Sequence, residues 1–191
     1  MLAVAKDLAP AVDWRQGAAE SMPFPDQSFD TVVSQFGLMF FVDRLQALRE
    51  MLRVMTPTGC LVVVVWDSLD NILAYSAEVA LLERLAGTRA ADAVRAPFVL
   101  GNPQNLATLF KDAGAASVEI KTRQGSARFP SVRVMVEAEL RGWLPAMGVL
   151  LTEDQISRVL EEAEDTFRSF VTTDGGVTFD VAAHLVTAKK S

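Results

Sequence analysis

Few residues of this chain have types and spacings that could do chemistry, and most of those are apolar. Met39, Phe40 and Phe41 follow Gln35-Phe36-Gly37, and Trp66 closes a later apolar run. Gathered at strand ends, Met39, Phe40, Phe41 and Trp66 form an apolar wall able to hold a flat or greasy molecule; turned inward, they are core. A reaction in such a pocket depends on alignment and exclusion of water, and needs a base only if a proton must leave. The sole histidine, His184, stands among Val181, Leu185 and Val186 and reads as a satisfied histidine, not a base. The sole cysteine, Cys60, follows Gly59 at the entrance to an apolar strand and reads as a structural thiol. One cysteine excludes an internal disulfide and fits a reducing compartment. No cluster of His, Cys and carboxylates has ligand spacing, so no metal site is expected. Gly17-Ala18-Ala19 reads, by itself, as a turn of small residues. No residue is assigned a catalytic role.

The elements that must position these residues alternate between strands and helices. Leu2–Leu8 is expected as a helix that stops before Pro10, and Val12–Arg15 as a short strand. Pro23 and Pro25 enforce an extended loop, and Asp26-Gln27-Ser28 a turn. Phe29–Gln35 is a β-rich run expected to be buried on both faces. Asp43 is the N-cap of a helix whose Leu45, Leu48, Leu52 and Met55 form one apolar face. Pro57-Thr58-Gly59 breaks that helix before the strand Leu61–Trp66, giving a βαβ unit with parallel strands. Residues 70–87 are expected as a helix and 90–100 as a less regular connection. Asn102-Pro103 opens a helix ending at Gly114, and 117–123 alternates as a strand. Residues 131–143 are helical in pattern. Thr152 and Gln155 make a capping box ahead of the stripe Ile156, Val159, Leu160, Ala163, Phe167 and Phe170. Asp174-Gly175-Gly176 is a hairpin signal before a closing strand over 177–188.

At 191 residues and 50% hydrophobic, the chain can bury a substantial core. Its net charge of -6 is spread along the sequence with no basic run to neutralise phosphates, so nucleic acid is not an expected partner. The N-terminus lacks the basic lead of a signal peptide, and no apolar run reaches the roughly 18 residues that span a bilayer. A soluble, cytoplasmic protein is expected.

The stretch Gly17-Ala18-Ala19-Glu20-Ser21-Met22-Pro23-Phe24-Pro25-Asp26-Gln27-Ser28-Phe29-Asp30, continuing to Phe41, resembles the middle of a class I S-adenosylmethionine-dependent methyltransferase. The branch is that of the ubiquinone/menaquinone C-methyltransferases (methyltransferase type 11). The resemblance covers nearly the whole chain and is strongest from Val12 to Trp66. It implies an α/β, Rossmann-like methyltransferase sheet that is N-terminally incomplete and carries an inserted helical lid. Residues 1–130 and 173–191 form the core, and 131–172 the helical insertion covering the site. The family's strand order, 3-2-1-4-5-7-6 with the last strand antiparallel, puts the methyl donor across the strands' carboxyl ends at the switch point.

The resemblance also implies roles. Gly17, Ala18 and Ala19 would meet the adenine. Ala18 stands where the family has an acidic acceptor for the adenine amino group, while the Ala19 N–H can still donate. Gln35, Phe36 and Gly37 would line the methionine end, and Met39, Phe40, Phe41 and Trp66 the acceptor. No G-x-G occurs anywhere in the chain; the glycine-rich loop and the ribose acid would lie before Met1, through a misread start or on a separate chain. The implied function is methyl transfer from S-adenosylmethionine to a small apolar or aromatic acceptor, with weak or absent cofactor binding and an inactive isolated chain. The alternative is a non-catalytic binding or assembly protein of the same fold. Without the first strand, Phe29–Gln35 lacks a neighbour. Either Val12–Arg15 moves inward to pair with it, or a homodimer or partner chain completes the sheet.

Overall fold

A computed structural model describes residues 2–190. In chain order the elements are α1 (Leu2–Leu8), β1 (Phe29–Gln35), α2 (Arg44–Val54), β2 (Met55–Trp66), α3 (Leu73–Ala86), α4 (Thr88–Arg95), α5 (Pro103–Asp112), β3 (Ser117–Phe129), α6 (Val132–Ala138), α7 (Leu144–Ala146), α8 (Glu153–Thr166) and β4 (Val177–Lys189). The four-stranded sheet has the order β1-β2-β4-β3. β1 and β2 run parallel, and β4 is antiparallel to both of its neighbours. This is the carboxyl-terminal half of the expected order, an α/β Rossmann-like sheet.

Helix α2 starts where the Asp43 carboxylate accepts the Gln46 N–H at 2.8 Å, satisfying one of the unpaired donors of a first turn. Its buried Leu48, Met51 and Leu52 meet Leu61, Val63 and Val65 of β2, with Leu106 and Phe110 of α5 in the same cluster. The opposite core joins α3, α4 and the α6–α8 segment: Leu82, Val94, Val136, Leu140, Val159 and Phe167 are buried in it. The α6–α8 segment therefore shares one core with α3 and α4.

Several expectations need correction. Val12–Arg15 is an exposed loop, not a strand. Its contacts are local: Trp14 Nε1 donates to the Ala9 carbonyl at 3.0 Å, and Arg15 pairs with Asp13. A strand needs a partner ladder, and this segment reaches none, so its inward pairing with β1 does not occur. β1 is not buried on both faces either. Phe29 and Val33 are exposed, and only Ser34 is buried. The strand pairs with β2 alone among the described residues.

The helix-to-strand break also moves. Met55 already pairs with Phe29, and the register jumps to Thr31 opposite Cys60. Residues 56–59 bulge between these pairs, where only glycine fits at 59: a Cβ would lie 2.6 Å from the Met55 side chain and 2.9 Å from the Asp30 carbonyl. Residues 88–95 are helical because Ala90, Ala91, Ala93 and Val94 bury one face. β3 extends past Arg123 to Phe129, held by the ladder to β4 rather than by its own polar residues. The Asp174-Gly175-Gly176 turn precedes β4, as expected. It links Val171 to Val177 through a single bridge.

Candidate functional site

The carboxyl end of β2 meets the segment between α6 and α7 across one cavity. At the end of β1, Phe36 adopts a left-handed backbone with φ 52°. For a bulky residue this is an outlier costing of order 1–3 kcal/mol, and such strain gathers at functional sites. Two contacts hold it there. The Phe36 N–H donates to the Val64 carbonyl at 2.9 Å, and the ring stacks on Trp66 with centroids 4.2 Å apart.

Beyond this stack lies a cavity of about 220 Å³ walled by Phe40, Trp66, Tyr75, Phe98, Trp143 and Glu139. Its rings are fixed. Trp143 Nε1 donates to the Ala93 carbonyl at 2.8 Å, Phe40 lies 5.5 Å from Trp143 and Tyr75 5.3 Å from Phe98, centroid to centroid. Glu139 and Trp143 bound a π-helical turn, Glu139–Trp143, between α6 and α7. Such widened turns recur at functional sites, and here both bounding residues reach the pocket.

The pocket is acidic as well as aromatic. Burial pushes the Glu139 carboxyl up to about 7. Glu78, one turn along α3 from Tyr75, is completely buried, and neither of its carboxylate oxygens has a hydrogen-bond partner. Burial, then the Glu139 charge, holds its pKa well above the ordinary value. Burial first, then Glu139 and Glu78, raises Tyr75. The sequence reading missed Glu78 and Glu139. A signal existed for Glu78: it occupies the buried face of α3 with Ala74, Leu81 and Leu82. Glu139 gives none, since only the π turn brings it inward.

The sequence-derived candidates divide among different places. Phe40 and Trp66 line the aromatic pocket, and Phe36 backs Trp66. Met39 is buried in the α2–β2 core. Phe41 instead faces a separate groove of about 500 Å³ with Trp14, Gly17, Ala18, Ala19 and Phe24. Gln35 is exposed at the end of β1. Gly37 lies so close to Ser34 and Phe41 that a Cβ would meet them at 3.2 and 3.4 Å. His184 is buried and bonded. Its Nε2 lies 2.8 Å from the Gly101 carbonyl and 3.1 Å from Asp67, and its Nδ1 lies 2.9 Å from Thr122 Oγ1. The carbonyl only accepts, so Nε2 carries a hydrogen. Among the described residues no group of His, Cys, Asp and Glu could hold a metal ion.

Residues 1–63 match the methyltransferase domain family. A stretch of 60 residues is 45% identical to a demethylmenaquinone methyltransferase of Chlorobaculum parvum, covering 31% of this chain and 25% of that protein. A longer alignment of 120 residues is 36% identical to the ubiquinone/menaquinone biosynthesis C-methyltransferase UbiE of Escherichia coli, covering 56% of this chain and 47% of the relative. These stretches are similar to class I methyltransferases of the UbiE-like branch. The chain spans less than half the length of these curated relatives. The fold agrees: a Bacillus halodurans structure assigned as a methyltransferase superposes with a TM-score of 0.60 at 19% identity, over 99% of this chain and 78% of that one.

S-adenosylmethionine is the methyl donor that this family implies, and the described residues do not make up a full site for it. Ala18 carries only a methyl group, with no side-chain hydrogen-bond acceptor. The Glu20 carboxylate already accepts the Val42 and Asp43 N–H groups at 3.1 and 3.3 Å, and Asp13 is paired with Arg15 at 2.8 Å. No glycine-rich turn approaches the end of β1.

Proposed function

We propose that this chain forms the acceptor-binding side of an S-adenosylmethionine-dependent methyltransferase acting on a small apolar or aromatic molecule. One observation carries the reading: the ring-lined cavity at the ends of β1 and β2, covered by Glu139 and Trp143 of residues 131–172. Relatives named for methylation in demethylmenaquinone and ubiquinone/menaquinone chemistry support an aromatic acceptor. The cavity is below the usual range of about 300–1,000 Å³ for drug-sized ligands, so it suits a single ring system. Gly17, Ala18, Ala19, Gln35, Phe36 and Gly37 flank the donor's side, where they bind weakly by themselves. The setting is cytoplasmic.

The chain's own residues supply positioning. Trp66, held by Phe36, and Trp143, held by Ala93, set the plane of the acceptor, and the rings lining the cavity limit its contact with water. Glu139, near neutrality in its proton affinity, can take a proton from an acceptor that must lose one.

The test is a pair of measurements on the chain of residues 1–191: calorimetric titration with S-adenosylmethionine, and fluorescence titration with phenols and hydroquinones. The expected result is saturable acceptor binding without saturable donor binding in the micromolar range. Micromolar donor binding would overturn the donor half of the reading, and failure of every acceptor to bind would overturn the acceptor half.

The unpaired outer edge of β1 favours a further strand there, from a second copy of this chain or from a partner chain that completes the sheet. In that arrangement the chain can also act as a non-catalytic assembly component.

A further inference from the structure

The aromatic pocket has an imbalance of charge that an apolar acceptor would not correct. Buried charges in folded proteins are paired, and a buried carboxylate without a donor is costly. Glu78 is completely buried with both oxygens unpartnered, and Glu139 lines the cavity beside it in charge range. Among the described residues, no Lys or Arg forms an ion pair with either of them. Arg95 is engaged with Glu83 and Asp92, and Arg141 with Glu137 and Glu153, all on the surface. The groups facing Glu139 from α3 are Tyr75 and Glu78, neither of them cationic. The rest of the wall is Phe40, Trp66, Phe98 and Trp143 with the aliphatic Val94 and Pro97. Ring faces with an acidic wall are the surroundings that favour a desolvated organic cation, because each ring's quadrupole attracts positive charge.

We propose that this pocket binds an organic cation, an amine or quaternary ammonium carried on a small apolar or aromatic body, with Glu139 as its counter-ion and the unpartnered carboxyl of Glu78 behind it. This deepens the acceptor reading and rests on it only in that the pocket takes a ligand. A cation favours the ionised carboxylate. Since burial places Glu139 at about 7 in the empty pocket, binding must release a proton below that pH.

Phenyltrimethylammonium, whose charge does not titrate, and tert-butylbenzene, its uncharged isostere, are the probes. Each is titrated into the full chain with tryptophan fluorescence as the readout. The cation is expected to bind at least about tenfold tighter than the isostere at pH 8. Its affinity should rise about tenfold per pH unit below about 7 and level off above, as linkage to one proton requires. Glu139→Gln should remove that pH dependence and weaken the cation at least several-fold more than it weakens the isostere. Glu78→Gln, which keeps the side chain's volume, should weaken the cation selectively. Equal binding of the two probes, or a cation affinity flat across pH 5.5 to 8, would overturn the proposal and leave the apolar acceptor reading standing. Binding of neither probe would overturn both.

Discussion

Single side chains carry the chemistry, and two of them do so at a cost in stability. In the folded protein Glu78 and Glu139 hold their protons more tightly than in the unfolded chain, where a glutamate loses its proton near 4.5. The folded state therefore binds more protons than the unfolded state above that pH. Stability should be highest below about 4.5 and decline as pH rises through about 7, at least in the part these two groups contribute. Urea midpoints measured from pH 4.5 to 8 check this, and Glu139→Gln should flatten the decline. Replacing Glu78 by leucine removes an unpartnered buried carboxylate and should stabilise the fold by about 1–3 kcal/mol. It should also weaken the preference for a cation, the usual exchange between stability and function. Phe40 is half-exposed at the pocket wall and outside the core. Phe40→Ala should weaken ligand binding while moving the urea midpoint little, and unchanged binding would remove Phe40 from the site.

Among the elements, the loop ahead of β1 and the long helix α8 depend on identifiable polar contacts. Arg53 of α2 reaches across to the carbonyls of Met22 and Phe24 at 3.2 and 2.9 Å, to Asp26 at 2.7 Å, and along its own helix to Glu50. Glu50 in turn accepts the Met22 N–H at 2.9 Å. Arg53→Ala should release this loop and raise amide exchange over residues 22–28 more than elsewhere. The loop borders the groove of Gly17, Ala18 and Ala19, so its release should loosen that groove without disturbing the aromatic pocket. In α8, Thr152 and Gln155 cap each other's backbone N–H groups. Thr152→Ala should cost about 1 kcal/mol, read as a lower thermal midpoint.

For the whole molecule, the open question is β1. Its outer edge is unpaired among the described residues, and Val33 is 62% exposed beside exposed Phe29. Bare strand edges recruit other strands, so we expect two copies to join there as a symmetric pair. Light scattering should then report twice the 20.8 kDa chain mass. Val33→Lys should return the protein to single chains, because a charged edge resists pairing. A single-chain mass for the unaltered protein would reject the dimer.

Much of this fold was legible before any coordinates, for local reasons. Phe29–Gln35, the Asp43 cap, the Thr152 and Gln155 box and the helix opened by Asn102-Pro103 depend on periodicity and on neighbours within a turn, and each stands where those signals place it. The resemblance around Gly17–Phe41 led to the family and to the strand order. Where partners are distant, local signals failed. Val12–Arg15 resembles a strand yet finds no ladder, whereas the polar second half of β3 is a strand because β4 pairs with it. The pocket shows the same division. Phe40 and Trp66 could be picked out as aromatics at strand ends, but Met39 turned to the core and Phe41 to another groove. Packing between helices far apart in the chain desolvates Glu78, and the π turn brings Glu139 inward. The types of the residues were set by the sequence, while the proton affinities that give the pocket its chemistry arise from burial.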